Sequence, residues 1–179
     1  MTGRGRNPDR VGRVLGVFGF PNPVDEVSAR LVAGGVLVMG VAALVTRNPV
    51  LLAVLAYGFV ARVLTGPRLS PLGRLVTQVV RPRLAAAPTL VAGPPKRFAQ
   101  GVGAAFTVSA LVLTLTGFDT AAGGLLAVLV VFATLESVFA FCMGCTVFGW
   151  LMRAGVIPES VCLDCADISR RIGAGSSVG

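Results

Sequence analysis

The sequence predicts an all-α integral membrane protein: a four-helix bundle with an amphipathic interfacial helix in its central loop and a short C-terminal helix. Three observations predict it. Of 179 residues, 54% are apolar and only 13% are charged, where a soluble domain carries about a quarter. The apolar residues gather in four runs near membrane-span length, bounded by capping residues, prolines and arginines. The basic residues, which give a net charge of +8, flank those runs. A nucleic-acid module would instead set them among groove-reading partners on a solvated surface, so that class is excluded.

Residues 1–15 hold Arg4, Arg6, Arg10 and Arg13 among glycines and are expected to form a disordered basic arm beside anionic lipid. The apolar part of the following segment, Val14 to Phe20, runs into Pro21 and Pro23 without a small-residue cleavage site, so it is expected to be retained. Asn22 as cap, Pro23 at the first helical position and the acids Asp25 and Glu26 mark a helix entrance. Four spans follow, at about 27–46, 49–65, 98–116 and 121–142. Arg47-Asn-Pro49 separates the first two, and Gly117-Phe-Asp-Thr120 the last two. Each apolar core is slightly short of the roughly 20 residues a span needs, and the flanking turns supply the difference. The membrane domain as a whole is placed at 16–157, and the fourth helix has the sequence to continue toward Arg153.

Residues 66–97 are proline-rich and carry Arg68, Arg74, Arg81, Arg83, Lys96 and Arg97 with no acid. Within them Leu72, Leu75, Val76, Val79 and Val80 recur at helical spacing, which predicts an amphipathic helix in the headgroup plane. Gly93-Pro-Pro-Lys-Arg97 reads as a rigid lead into the third span. The positive-inside rule puts this loop and both termini on the cytoplasmic side of the membrane. A helix over 158–172 and a Gly/Ser tail over 173–179 complete the chain.

Two constellations carry chemistry. Arg62 and Glu136 are the ionisable residues well inside spans, and their depths differ by only about 3 Å at 1.5 Å per residue. An isolated intramembrane charge costs at least roughly 2.5 kcal/mol, so a mutual pair locking the second and fourth helices is expected. A proton-relay or ligand role is the alternative. The other constellation is Cys142-Met-Gly-Cys145 and Cys162-Leu-Asp-Cys165, which hold all four cysteines. The spacing C-x₂-C-x₁₆-C-x₂-C fits thiol exchange or one tetrahedral zinc site. Against zinc, the intervening sequence is apolar and helical, without the strands and turns of a ribbon. Cys162 and Cys165 fall in the first turns of the C-terminal helix, where the dipole favours thiolate and makes Cys162 the more accessible nucleophile. Cys142 and Cys145 show no such helix start. In a cytoplasmic setting, stable structural disulfides are not expected.

Phe20-Pro-Asn-Pro-Val-Asp-Glu26 with Ala29-Arg30, Gly66-Pro-Arg-Leu-Ser-Pro71, Gly93-Pro-Pro-Lys-Arg-Phe-Ala-Gln100 and Phe141-Cys-Met-Gly-Cys145 together resemble a family of small bacterial membrane proteins known as a domain of unknown function. The likeness covers about residues 15–165. Members often accompany thioredoxin-like proteins and rhodanese-type sulfurtransferases, so the resemblance implies a thiol or sulfur context and a partner of that kind.

These readings converge on a membrane-embedded thiol–disulfide or sulfane-sulfur relay, with Cys142, Cys145, Cys162 and Cys165 as the reacting groups and no cofactor. The alternatives are a zinc-stabilised structural protein on the same four cysteines, or a component for transport of a small sulfur anion. The sequence has no histidine, no nucleotide-binding loop and no catalytic triad.

Overall fold

The computed structural model describes residues 21–84, 87, 89–158, 161, 162 and 165. The basic arm, the tail and most of the helix expected over 158–172 lie outside them. The protein is mostly helical. Helix α1 covers Glu26–Thr46, α2 Pro49–Thr65 and α3 Pro71–Leu75; a π-helical turn Val76–Val80 leads into α4, Arg81–Arg83. Helix α5 follows at Gly93–Leu115, α6 at Asp119–Phe139 and α7 at Met143–Arg153. Helices α1, α5 and α6 are long and apolar enough to cross a membrane, and α2 is a shorter apolar helix.

Caps set these boundaries. Asn48 accepts a hydrogen bond from the Val50 N–H at 2.8 Å and Pro49 starts α2, the arrangement read from the sequence. At the start of α1 the cap is Asp25, which accepts from the Ser28 N–H at 3.2 Å. Asn22, expected in that role, instead accepts from the Gly93 N–H at 2.9 Å. The chain needs the extra residues because Val24–Asp25 (β1) pairs antiparallel with Leu90–Val91 (β2), with Val24 opposite Val91. This short strand pair is an addition to the all-α expectation.

Helix α1 packs on α6, and α2 packs on α5, with α5 and α6 adjacent. Val36, Ala43, Leu52, Leu55, Phe59, Leu126 and Leu129 form the shared core. Close approach is built in by glycine. A Cβ on Gly103 would meet the Phe59 ring at 2.2 Å, and one on Gly40 would meet Val130 at 2.9 Å. The outward faces stay apolar: Val38, Val45, Val112, Leu115 and Val131 are all exposed. A helix apolar on every side suits lipid, not water.

One end of the bundle collects the polar chemistry. Gly66, at φ 63°, leaves Pro21 Cδ only 2.6 Å from where a Cβ would stand, and Gly93 does the same for the Pro21 carbonyl. Arg81 reaches Asp25 at 2.6 Å, and Arg30 donates to the Ser137 carbonyl at 3.2 Å. The segments 21–26, 66–71, 93–100 and 137–142 therefore meet. The amphipathic segment is part of this assembly: Val76 is buried and Leu72 packs on the core over Gly35.

Candidate functional site

The fourth long helix does not run on to Arg153. Ala140 takes a left-handed conformation at φ 56°, and both its N–H and that of Phe141 turn back to the Leu135 carbonyl. The chain then restarts as α7 with Cys142 as N-cap, its Sγ accepting from the Cys145 N–H at 3.4 Å. Thr146 adds its hydroxyl to the Cys142 carbonyl at 3.1 Å. The first C-x-x-C pair thus has the helix start that the sequence seemed to deny it. Gly144 explains why this helix can dock: an added Cβ would lie 2.6 Å from both Cα and Cβ of Ala99 on α5. Phe148 is buried and meets Phe98, with ring centroids 5.7 Å apart.

Around the two thiols the charges are arranged differently from expectation. Glu136 pairs with Lys96, Nζ to Oε1 at 2.8 Å, and not with Arg62. Helix α5 begins at Gly93, five residues before the expected span, so its first turn carries Lys96 into the bundle, where it is 8% exposed. Arg62, 5% exposed, donates to Gln100 Oε1 at 2.8 Å and Ser70 Oγ at 3.0 Å. Its guanidinium also lies 4.5 Å from the Phe59 ring centroid. Glu136 takes a lysine from a third helix as its partner instead. Lys96 and Gln100 are one helical turn apart in the motif quoted above, and that i, i+4 spacing was the available signal.

Cys142 and Cys145 lie beyond the end of α6. A hydrogen bond from the Cys145 thiol holds the Cys142 thiol below its ordinary pKa; Lys96 and the Cys145 N–H assist, against burial and the Glu136 carboxylate. The same hydrogen bond, followed by burial, pushes the Cys145 thiol up. The pair is thus polarised into a latent thiolate and a proton-holding partner, the division that thiol exchange uses.

Cys162 and Cys165 are joined as a disulfide, while Cys142 and Cys145 are free thiols. Cys162 is 3% exposed, and it is Cys165 that lines an open groove of about 940 Å³ together with Cys142, Cys145, Lys96, Trp150 and Arg153. Among the described residues no three metal-ligating side chains are grouped to hold an ion, and two of the four expected zinc ligands are bonded to each other. On its inner side Cys142 meets a second space, a cavity of about 220 Å³ between the helices, with Glu136 and Gln100 at the same wall.

The fold and site define a helical protein of membrane type in which Cys142, Cys145 and Cys165 border one groove. Residues 24–153 match the family described as domain of unknown function (DUF4395), and the chain belongs to it. No curated protein and no solved structure matches the chain.

Proposed function

We propose that the protein is a thiol–disulfide relay embedded in the bacterial inner membrane, its four apolar helices crossing the bilayer and its cysteines at the cytoplasmic face. One observation carries the reading: both C-x-x-C pairs reach the same groove, the free inner pair through Cys142 and Cys145 and the bonded outer pair through Cys165. A thioredoxin-like dithiol partner reduces Cys162–Cys165 by ordinary exchange and leaves as its own disulfide. When the inner pair is oxidised, the Cys165 thiolate attacks Cys145 Sγ, the more exposed inner sulfur, and Cys142 leaves as the lower-pKa thiolate. Cys162 then attacks Cys165, re-forming the outer disulfide and releasing Cys145. Two electrons and two protons have moved inward.

The topology rests on charge, since Arg68, Arg74, Arg81 and Arg83 share the cysteine end. A membrane-impermeant maleimide on intact spheroplasts leaves every cysteine unlabelled; labelling of Cys165 from outside reverses the orientation. The exchange step is tested with Cys142→Ser/Cys162→Ser, which retains one thiol from each pair. Mild oxidation gives an intramolecular Cys145–Cys165 bond in this variant. Both thiols remaining free, or one tightly held zinc per wild-type chain that must be chelated before any thiol alkylates, supports the zinc alternative and sinks the relay.

A further inference from the structure

The relay leaves the inner pair reduced, so turnover needs an acceptor that reaches Cys142. Cys142 is the residue that lines both the outer groove and the cavity between the helices. Phe59, Phe106 and Phe132 wall the deeper part of that cavity, while its polar wall is Gln100, Glu136 and the Cys142 sulfur. An apolar cavity of about 150 Å³ holds a benzene ring, so the 220 Å³ here admits one six-membered ring with small substituents. The Gln100 carbonyl oxygen is engaged by Arg62 at 2.8 Å, which orients the amide and leaves its N–H₂ as the donor. The wall therefore offers a hydrogen-bond donor, a carboxylate and a thiol to one edge of a flat apolar molecule.

We propose that this cavity binds the ring of a lipid-soluble quinone, which oxidises the Cys142–Cys145 dithiol. The inference rests on the relay reading and supplies its outlet. The Cys142 thiolate adds to a ring carbon, forming a C–S bond. Cys145 gives up its proton and attacks Cys142 Sγ; the disulfide forms, the C–S bond breaks, and its electron pair returns to the ring. The protons of both thiols end on the two quinone oxygens, giving the hydroquinone. Gln100 steadies one oxygen as charge develops there. Glu136, held by Lys96 at 2.8 Å and lining the cavity with Cys142, is the carboxylate assigned to carry a proton toward the ring.

The test uses the full chain in lipid nanodiscs, reduced and then mixed with decylubiquinone. Quinone reduction is followed by absorbance, and thiols by alkylation and mass spectrometry. The expected result is quinol formed in step with loss of the Cys142 and Cys145 thiols. Ala133→Phe, which fills the cavity away from the sulfur, lowers the rate at least about tenfold, a difference of the size a single displaced contact produces. Gln100→Leu lowers it as well. Both variants are checked for retained helicity and for retained exchange between the outer disulfide and a small dithiol. In the wild type, exchange intact with no quinol formed overturns the quinone site while leaving the relay standing. Absence of both reactions in the wild type takes the relay down with it. A rate indifferent to Ala133→Phe, or retained in Cys142→Ser, means the quinone reacts elsewhere and overturns the site. Should Ala133→Phe fail to fold, protection of Cys142 from alkylation by a redox-inert quinone analogue decides the matter, and no protection counts against the site.

Discussion

Removing the Glu136 carboxylate tests the charge arrangement at the heart of this bundle. Glu136→Gln leaves the Lys96 ammonium without its 2.8 Å partner in a site where the two side chains are 9% and 16% exposed. Stranding one member of a buried pair costs about 3–5 kcal/mol. The lower end applies because Lys96, the charge left behind, lines the open groove, so about 3 kcal/mol is expected, roughly a hundredfold in the folded-to-unfolded ratio. Lys96→Met alone strands Glu136 at a similar cost. The double variant replaces the pair by neutral groups of like size and recovers about 1–3 kcal/mol of the summed loss, the range of couplings between contacting residues. Arg62→Leu is the contrast. Its partners are Gln100, Ser70 and the Phe59 ring, so its coupling to Glu136→Gln is smaller than that of Lys96. The assay is denaturant or SDS unfolding in detergent micelles, followed by far-UV circular dichroism. Additive losses for Lys96 and Glu136, within about 0.5 kcal/mol, refute the pairing. So does a stronger coupling of Glu136 to Arg62.

Two further outcomes are expected. Asp25 caps α1 and binds Arg81, so Asp25→Ala costs about 1–2 kcal/mol, the range for a lost cap. Burial is the largest influence on the Asp25 carboxyl and raises it, but the hydrogen bonds from Arg81 and Ser28 together outweigh burial and hold it below the ordinary value. Its contribution is therefore complete above the unfolded pKa of about 3.9 and is lost as pH falls through the depressed native value. Asp25→Asn flattens that acid limb in a pH series of unfolding curves; an unchanged limb places the dependence elsewhere. For the thiols, alkylation of Cys142 in the reduced protein reaches half its limiting rate below the ordinary thiol pKa of about 8.5. Cys145→Ala removes the hydrogen bond and moves that midpoint upward; a midpoint that stays in place means the two sulfurs do not interact.

Much of this was legible in the chain. Asn48-Pro49 marks the start of α2 in both the sequence and the structure, because a cap and a proline act locally. What failed was tertiary in origin. The break at Ala140 occurs on an alanine with φ 56°, which no turn residue announces, and it is the docking of Gly144 onto Ala99 that holds α7 at its new angle. Lys96 reads as a membrane-flanking base because Arg97 beside it is one: Arg97 is exposed and donates to the Val63 carbonyl at 3.0 Å. Only the rotation of α5 sends the two neighbours to opposite environments. Arg62 and Glu136 were matched by depth alone, and depth along a helix says nothing about which partner comes nearest across it. The cysteine spacing suggested thiol exchange or zinc but not the different settings of the four sulfurs, which depend on Cys142 capping a helix and on Cys165 lining the groove.

The order in which the cysteines change redox state tests the relay most directly. Fully oxidised protein in nanodiscs is mixed with a reduced thioredoxin-like dithiol, quenched with an isotope-coded alkylating agent at intervals, and read by mass spectrometry at Cys142, Cys145, Cys162 and Cys165. The account predicts that the outer thiols are labelled first and only transiently, that the inner thiols follow and accumulate, and that Cys162→Ser/Cys165→Ser abolishes labelling of the inner pair. Inner thiols that appear at the same rate without the outer pair would contradict it.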